Sequence, residues 1–222
     1  MANLVIFGTS AISEVAKFYI EKYSADRIIG FTADREYCEA ASFLGLPVVA
    51  WEELEQRFPP QTVKLLGPLS YQRLNELRRD RHLEGRARGY SFATFVHPRS
   101  QVETNNIGDN CVILEDNVIQ PFVRIGNGVI IWTGCFIGYQ SSVADYCFLS
   151  AQAGLGDHVK LGPRCFLAGR AAVESRLEVG EACFLDTAVL VRKNLPPESV
   201  VRSRATPISR YPSSRLKNRR FR

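Results

Sequence analysis

Two hydrophobic rhythms divide the chain. From Ile107 an aliphatic side chain returns every sixth position: Ile107, Ile113, Ile119, Ile125, Ile131, Ile137, Val143, Leu149, Leu155, Leu161, Leu167, Val173, Val179 and Leu185. That makes fourteen consecutive hits with no slip. Gly often follows the aliphatic residue, as at Gly108, Gly126, Gly138, Gly156, Gly162 and Gly180. Four places after it stands a residue that is usually small or aliphatic, such as Cys111, Val123, Cys135, Ser141, Cys147, Ala153 or Cys165. A period of six suits neither a 3.6-residue helix nor an alternating strand. It suits short strands joined by tight turns, three to a coil of about 18 residues, each hexapeptide pointing one aliphatic side chain inward. The pattern predicts a parallel β-helix of four to five coils.

Residues 1–93 follow another rhythm. The spacing predicts a strand at Asn3–Phe7, an amphipathic helix to about Tyr23, a strand at Arg27–Thr32 and a helix over roughly 36–44. Next come a short strand near Val48, a helix near Glu52–Phe58, a strand at Val63–Leu66 and a long helix from Tyr71 to about Arg88. Strands alternating with helices imply a small parallel α/β domain. The division expected is 1–93 for this domain, 94–193 for the β-helix and 194–222 for a tail.

Charge sharpens the third part. The net charge is +5, yet residues 192–222 alone carry +9, from ten Lys or Arg against Glu198, leaving −4 on the rest. The run Arg215-Leu216-Lys217-Asn218-Arg219-Arg220 is suited to an anionic partner, with a solvated tail as the simpler reading. No nucleic-acid partner is expected. No apolar run approaches the length of a membrane span, and the first residues read as a strand rather than a signal peptide, so the expected location is cytoplasmic.

The lattice assigns the cysteines. Five of the six occupy the small inward slot and read as packing residues, with Cys38 alone in the first domain. Of three histidines, His82 lies in a highly charged stretch and is expected at the surface, while His97 precedes Pro98 at the junction and is expected to be structural. His158 takes the fourth place of its hexapeptide, and eighteen residues earlier that place holds Gln140. Stacked coils would bring His158 within a rung of Tyr139 and Gln140. One lattice histidine cannot supply a three-histidine zinc site, so no metal is expected.

Gly8-Thr9-Ser10 stands at a strand-to-helix turn, where free N–H groups and the helix dipole favour a phosphate. It lacks the remaining glycines of a dinucleotide fingerprint, and a tight turn with a helix cap explains it as well. Asp34, just after the second strand, is placed either to bond a ribose or base or to cap a helix.

The segments "VIFGTS", "FTADREY" and "NNIGDNCVILEDNVIQPFVRIGNGVIIWTGCFIG" carry a family likeness. Over about residues 1–208 the chain resembles the bacterial sugar acyltransferases of the left-handed β-helix class, and most of all their sialic-acid and nucleotide-aminosugar acetyltransferase group. The resemblance implies an α/β domain followed by a left-handed parallel β-helix, a homotrimer, acyl-CoA between neighbouring β-helices and a nucleotide-linked sugar held partly by the first domain. It implies substrate contacts from Gly8, Thr9, Ser10, Asp34 and Arg35, and contacts to the acetyl-CoA donor from Asp157, Arg202 and Arg204.

The chain departs from this pattern at four functional positions. The residue after "IG" in the coil of Ile137 is typically the family's catalytic histidine and here is Tyr139, followed by Gln140. Phe148 stands where relatives often carry another histidine, and Arg202-Ser203-Arg204-Ala205 matches the closing glycine-and-proline loop loosely. Tyr, with a pKa of about 10, is a poor base at neutral pH. A sugar hydroxyl needs such a base, whereas a neutral sugar amine attacks a thioester unaided. The expectation is therefore N-acylation, with Tyr139 and Gln140 orienting the acceptor, His158 as substitute base and backbone N–H groups of the coil on the oxyanion. The alternative is a catalytically silent relative that binds a nucleotide-sugar or serves as a structural subunit.

Overall fold

The computed structural model describes residues 1–67, 69–205, 207–208, 210 and 212. The basic run from Arg215 to Arg222 lies outside the described residues. No helix among the described residues is long and apolar enough to cross a membrane.

The first domain is built on strands β1 (Asn3–Phe7), β2 (Arg27–Ala33), β3 (Ser42–Phe43), β4 (Leu46–Ala50), β5 (Lys64–Leu66) and β6 (Ser91–Phe92), in the order β3-β4-β2-β1-β5-β6. Every pairing is parallel except β3 with β4. Helices α1 (Ala11–Tyr23), α2 (Leu54–Arg57) and α3 (Glu76–Ala87) complete it. Leu4 and Ile6 of β1 pack into one core while Val5 and Phe7 pack into the other. Burial on both faces is why β1 reads as an unbroken apolar run.

Two helix expectations are corrected. The stretch 36–44 holds only a 3₁₀ turn at Arg35–Tyr37, then the β3–β4 hairpin, whose turn places Leu44 and Gly45 at φ +49° and +76°. The helix expected from Tyr71 begins only at Glu76, because Arg73, Leu74 and Asn75 adopt φ of +49°, +49° and +65°, which no right-handed helix accepts.

The second domain is the β-helix. Its first face stacks Gln101–Val102, Val118–Ile119, Phe136–Ile137, Gly154–Leu155, Ala172–Val173 and Leu190–Val191. The second face stacks Arg124–Ile125, Ser142–Val143, Lys160–Leu161 and Glu178–Val179. The third runs from Phe95–Val96 through Val112–Ile113, Ile130–Ile131, Phe148–Leu149, Phe166–Leu167 and Phe184–Leu185 to Val200–Val201, one rung past the expected end at 193. Each coil pairs in parallel with the one eighteen residues on, as Val118 with Phe136.

The lattice residues from Ile113 to Leu185 form one buried core with the small-slot residues. Each buried aliphatic rung contributes about 1.5–3 kcal/mol of hydrophobic stabilisation. The small slot also carries hydrogen bonds: the thiols of Cys111, Cys147 and Cys165 each donate to a carbonyl fifteen residues on, at 3.1 Å. Ser141 makes the same bond to Gly156 O at 2.8 Å. At the fourth place of every hexapeptide from Asn110 to Ala188 the backbone is left-handed, with φ between +54° and +71°, although only Gly128 and Gly134 are glycines there.

The first domain sits on the third face. Leu4, Ile6, Ala16, Ile20 and Phe31 share a buried cluster with Val112, Leu114, Ile130 and Phe148. At one edge of that face Tyr19 and Tyr23 close on the buried His97 ring, with centroids 5.0 and 4.4 Å away. This is the structural role expected for His97.

Candidate functional site

Three places gather the residues singled out by the sequence. The first is a cavity of about 460 Å³ at the carboxyl ends of β1 and β2, lined by Gly8, Thr9, Ser10, Asp34, Tyr37, Tyr71 and neighbours. Gly8 adopts φ +119°, and a Cβ there would stand 3.0 Å from the Ser13 hydroxyl, so the turn demands glycine. Its N–H donates to Thr32 O at 2.8 Å. The Ser13 and Thr32 hydroxyls are buried without a hydrogen-bond partner among the described residues. Ser10 precedes α1 and lines the cavity, and its side chain makes no cap hydrogen bond.

Asp34 caps nothing either. One oxygen accepts from Arg81 Nε at 2.8 Å, so α3 holds the carboxylate at the cavity edge. Arg35 lies outside the cavity, paired with Glu53 at 2.7 Å. The 3₁₀ turn after Asp34 swings this side chain toward β4 rather than into the opening.

The second place is the corner between the first and second faces. Tyr139 and His158 follow each other up this corner, ring centroids 4.8 Å apart at 68°. The rung between them is the bond from His158 N–H to Tyr139 O at 3.0 Å. Gln140 is exposed beside them. Asp157 shares the turn of His158, and a Cβ on Gly138 would meet its Oδ1 at 2.5 Å, so glycine at 138 makes room for that carboxylate.

The backbone here does not supply the free donors expected. The N–H groups of Gly138, Gln140, Gly156, Asp157 and His158 are all committed within the ladder or to Ser175 Oγ. Tyr139 N–H is different, since it donates to the side-chain oxygen of Gln120 at 2.9 Å, a partner able to swing away.

The third place is the end of the chain. After Val201, Ser203 is tied through N–H and hydroxyl to Asp186 Oδ2, at the corner between the third and first faces. Arg202 and Arg204 flank it and are exposed. They lie a full face away from Asp157 and Tyr139, so one chain does not bring the expected cofactor residues together. Likewise the cavity belongs to the side of the third face, whereas the Tyr139 corner is the edge opposite that face.

Sequence reading missed the groups that shape the cavity. Tyr71 lines it and stands edge-on to Phe148 and Phe166, at 5.6 and 5.4 Å, with those two rings stacked at 5.1 Å. Phe148 thus serves as a buried platform beneath the domain. His82, expected at the surface, is buried: its Nδ1 lies 3.1 Å from Tyr146 Oη and its Nε2 3.2 Å from Asp109 Oδ1. The reason is that Arg78, His82 and Gly85 make a stripe along α3 that faces inward, a helical spacing of polar types that hydropathy reads as solvated.

A model of the family "bacterial transferase hexapeptide (six repeats)" matches residues 106–139. No curated protein matches the sequence. Among solved structures, a variant of perosamine N-acetyltransferase from Caulobacter crescentus, in complex with CoA and GDP-perosamine, superposes with a TM-score of 0.79 at 22% identity, covering 90% of this chain and 93% of that one. The acetyltransferase domain of PglB from Neisseria gonorrhoeae gives 0.78 at 18% identity, over 90% and 96% of the two chains. WeeI from Acinetobacter baumannii gives 0.60 at 14% identity, over 91% and 97%. These likenesses span both domains and establish the fold: a small α/β domain joined to a left-handed parallel β-helix of hexapeptide repeats.

Proposed function

We propose that this protein transfers an acetyl group from acetyl-CoA to the amine of a nucleotide-linked aminosugar, in the synthesis of a surface polysaccharide. The observation that carries this reading is that the likeness to a protein solved with CoA and GDP-perosamine covers the cavity domain and the β-helix alike, 90% of the chain. Gly8, Thr9, Ser10 and Asp34 would hold the nucleotide, in a cavity at the strand ends where α/β sheets bind such groups.

The neutral amine attacks the thioester carbonyl, a C–N bond forms, and the C–S bond breaks to release CoA as its thiolate. The ammonium proton passes to His158 and from there to solvent or to the thiolate. Tyr139 and Gln140 orient the acceptor. Tyr139 N–H, freed when Gln120 turns aside, is the donor suited to the developing oxyanion. Because the cavity and the Tyr139 corner occupy opposite sides of one β-helix, the working unit is a homotrimer in which one chain's cavity faces a neighbour's corner. The exposed Phe136 and Phe122 beside that corner fit burial between subunits.

The test incubates the purified protein with acetyl-CoA and a panel of nucleotide aminosugars while following free-thiol release. Turnover with at least one acceptor supports the reading. Tight nucleotide-sugar binding by calorimetry without any turnover would establish the catalytically silent subunit instead.

A further inference from the structure

The cavity wall is fastened to the β-helix by a device outside the chemistry so far described. Arg78 is fully buried and its guanidinium pairs with no carboxylate among the described residues. It donates to Ser70 O, to Asn75 Oδ1 at 3.0 Å, and to the Tyr146 and Cys147 carbonyls at 3.0 and 3.2 Å. Asn75, also fully buried, donates through Nδ2 to the Arg164 and Cys165 carbonyls, both at 3.2 Å. These four carbonyls lie on two successive turns of one corner, eighteen residues apart. Arg78 therefore takes one rung, Asn75 takes the next, and the bond between them joins the two.

The segment so held is strained. Arg73, Leu74 and Asn75 are three consecutive left-handed residues, none a glycine. Such a run persists only where its surroundings over-determine it. Directly before it, Ser70, Tyr71 and Gln72 form a wall of the cavity. Directly after the clamped carbonyls come Phe148 and Phe166, the rings against which Tyr71 rests. Burial pulls the Arg78 guanidinium down to about 10, which still leaves it charged at neutral pH and committed to these carbonyl dipoles.

We propose that Arg78 and Asn75 are positioning residues: a two-rung clamp that sets the wall Ser70–Gln72 at one height along the β-helix, and so presents the nucleotide-linked acceptor at the level of the acylating coil. This rests on the function proposed above. The clamp sits at the corner between the second and third faces, away from the Tyr139 corner, so its loss should weaken acceptor binding and leave donor binding unchanged.

Two readouts keep the clamp separate from the reading on which it rests. Hydrogen exchange of the unliganded Arg78→Ala and Asn75→Gly variants probes the clamp alone. Asn75→Gly keeps the left-handed backbone, removes only the side-chain bonds, and serves if Arg78→Ala does not fold. Exchange in the peptide 69–74 should speed up roughly 10- to 100-fold, while the coils of 107–191 stay at wild-type rates. Unchanged exchange in 69–74 would overturn the clamp.

Steady-state kinetics then probes positioning. KM for the nucleotide aminosugar should rise roughly 10- to 100-fold with KM for acetyl-CoA unmoved, and millimolar guanidinium should restore Arg78→Ala. Equal rises in both KM values, or no rescue, would overturn the positioning role. A wild-type protein with no turnover on any acceptor would overturn the acyl-transfer reading and the positioning role with it, while the exchange data would still report whether the wall is clamped.

Discussion

Tyr139 and His158 stand edge to face on successive turns of one β-helix corner, their ring centroids 4.8 Å apart. An imidazole thus lies one rung from the position where the resemblance places a catalytic histidine. If it takes the ammonium proton, His158→Asn should lower kcat about 10- to 100-fold with both KM values nearly unchanged. That loss is at the low end for a general base, because a neutral amine is already nucleophilic. An unchanged kcat in the thiol-release assay would remove His158 from the mechanism.

The separation of cavity and corner makes a prediction about mixed oligomers. Asp34→Ala damages the cavity and His158→Asn the corner, so either variant alone should be impaired. If the proposed homotrimer is the working unit, co-expression should give mixed trimers in which an intact cavity of one chain meets an intact corner of another, and activity should exceed the mean of the two parents. Absence of any recovery in verified mixed trimers would mean that one chain furnishes both halves.

Gly138 carries the next prediction. A methyl group there would meet Gly156 backbone carbon at 2.6 Å and Asp157 Oδ1 at 2.5 Å. Gly138→Ala should destabilise the protein by about 1–3 kcal/mol through forced backbone movement, and should disturb the Tyr139 turn. Denaturant unfolding measures the first effect and the kinetic assay the second. An unshifted unfolding midpoint would show that the corner yields freely.

Acid should loosen the junction between the domains. Burial lowers the pKa of both His82 and His97 below the ordinary value of 6.5, against the opposing pull of Asp109 and Glu115 respectively. A depressed folded pKa means the unfolded chain binds the proton first. The two histidines therefore leave stability intact above about pH 6.5 and reduce it as the pH falls from there toward the folded values. Thermal melts at pH 7.5 and 5.5 should differ, and His82→Gln should shrink that difference. A difference unaffected by the substitution would assign the effect to other groups.

Thiol chemistry gives a direct test of the core. Five cysteines are buried, with Cys111 and Cys135 pushed up to about 12, and only Cys38 is half-buried. Folded protein should react with a thiol reagent at one group and denatured protein at six, since only the thiolate is nucleophilic. Fast reaction at several groups in the folded state would contradict the packed slot.

Much of this molecule is legible in its letters because a β-helix is locally periodic. Each hexapeptide meets the same neighbours as the one eighteen residues away, so the burial of Ile137 or Leu155 follows from the six-residue spacing alone. The strands β1 and β2, and the turn at Gly8, are legible for a similar reason, since each is decided within a few residues. The left-handed fourth places are not: Gln140, His158 and Arg164 are ordinary side chains that the coil forces into a conformation more natural to glycine.

The sequence by itself thus determined the coils, their inward residues and the corner on which Tyr139 and His158 meet. Only the tertiary structure decided that Arg78 and His82 are buried, that Arg35 points away from the cavity and that cavity and corner lie on opposite sides of one chain. The physical reason is that a charged side chain can be buried only where acceptors satisfy its donors, and those acceptors can lie far along the chain. For Arg78 those acceptors are carbonyls 68 and 69 residues further on, at a distance no local pattern reports.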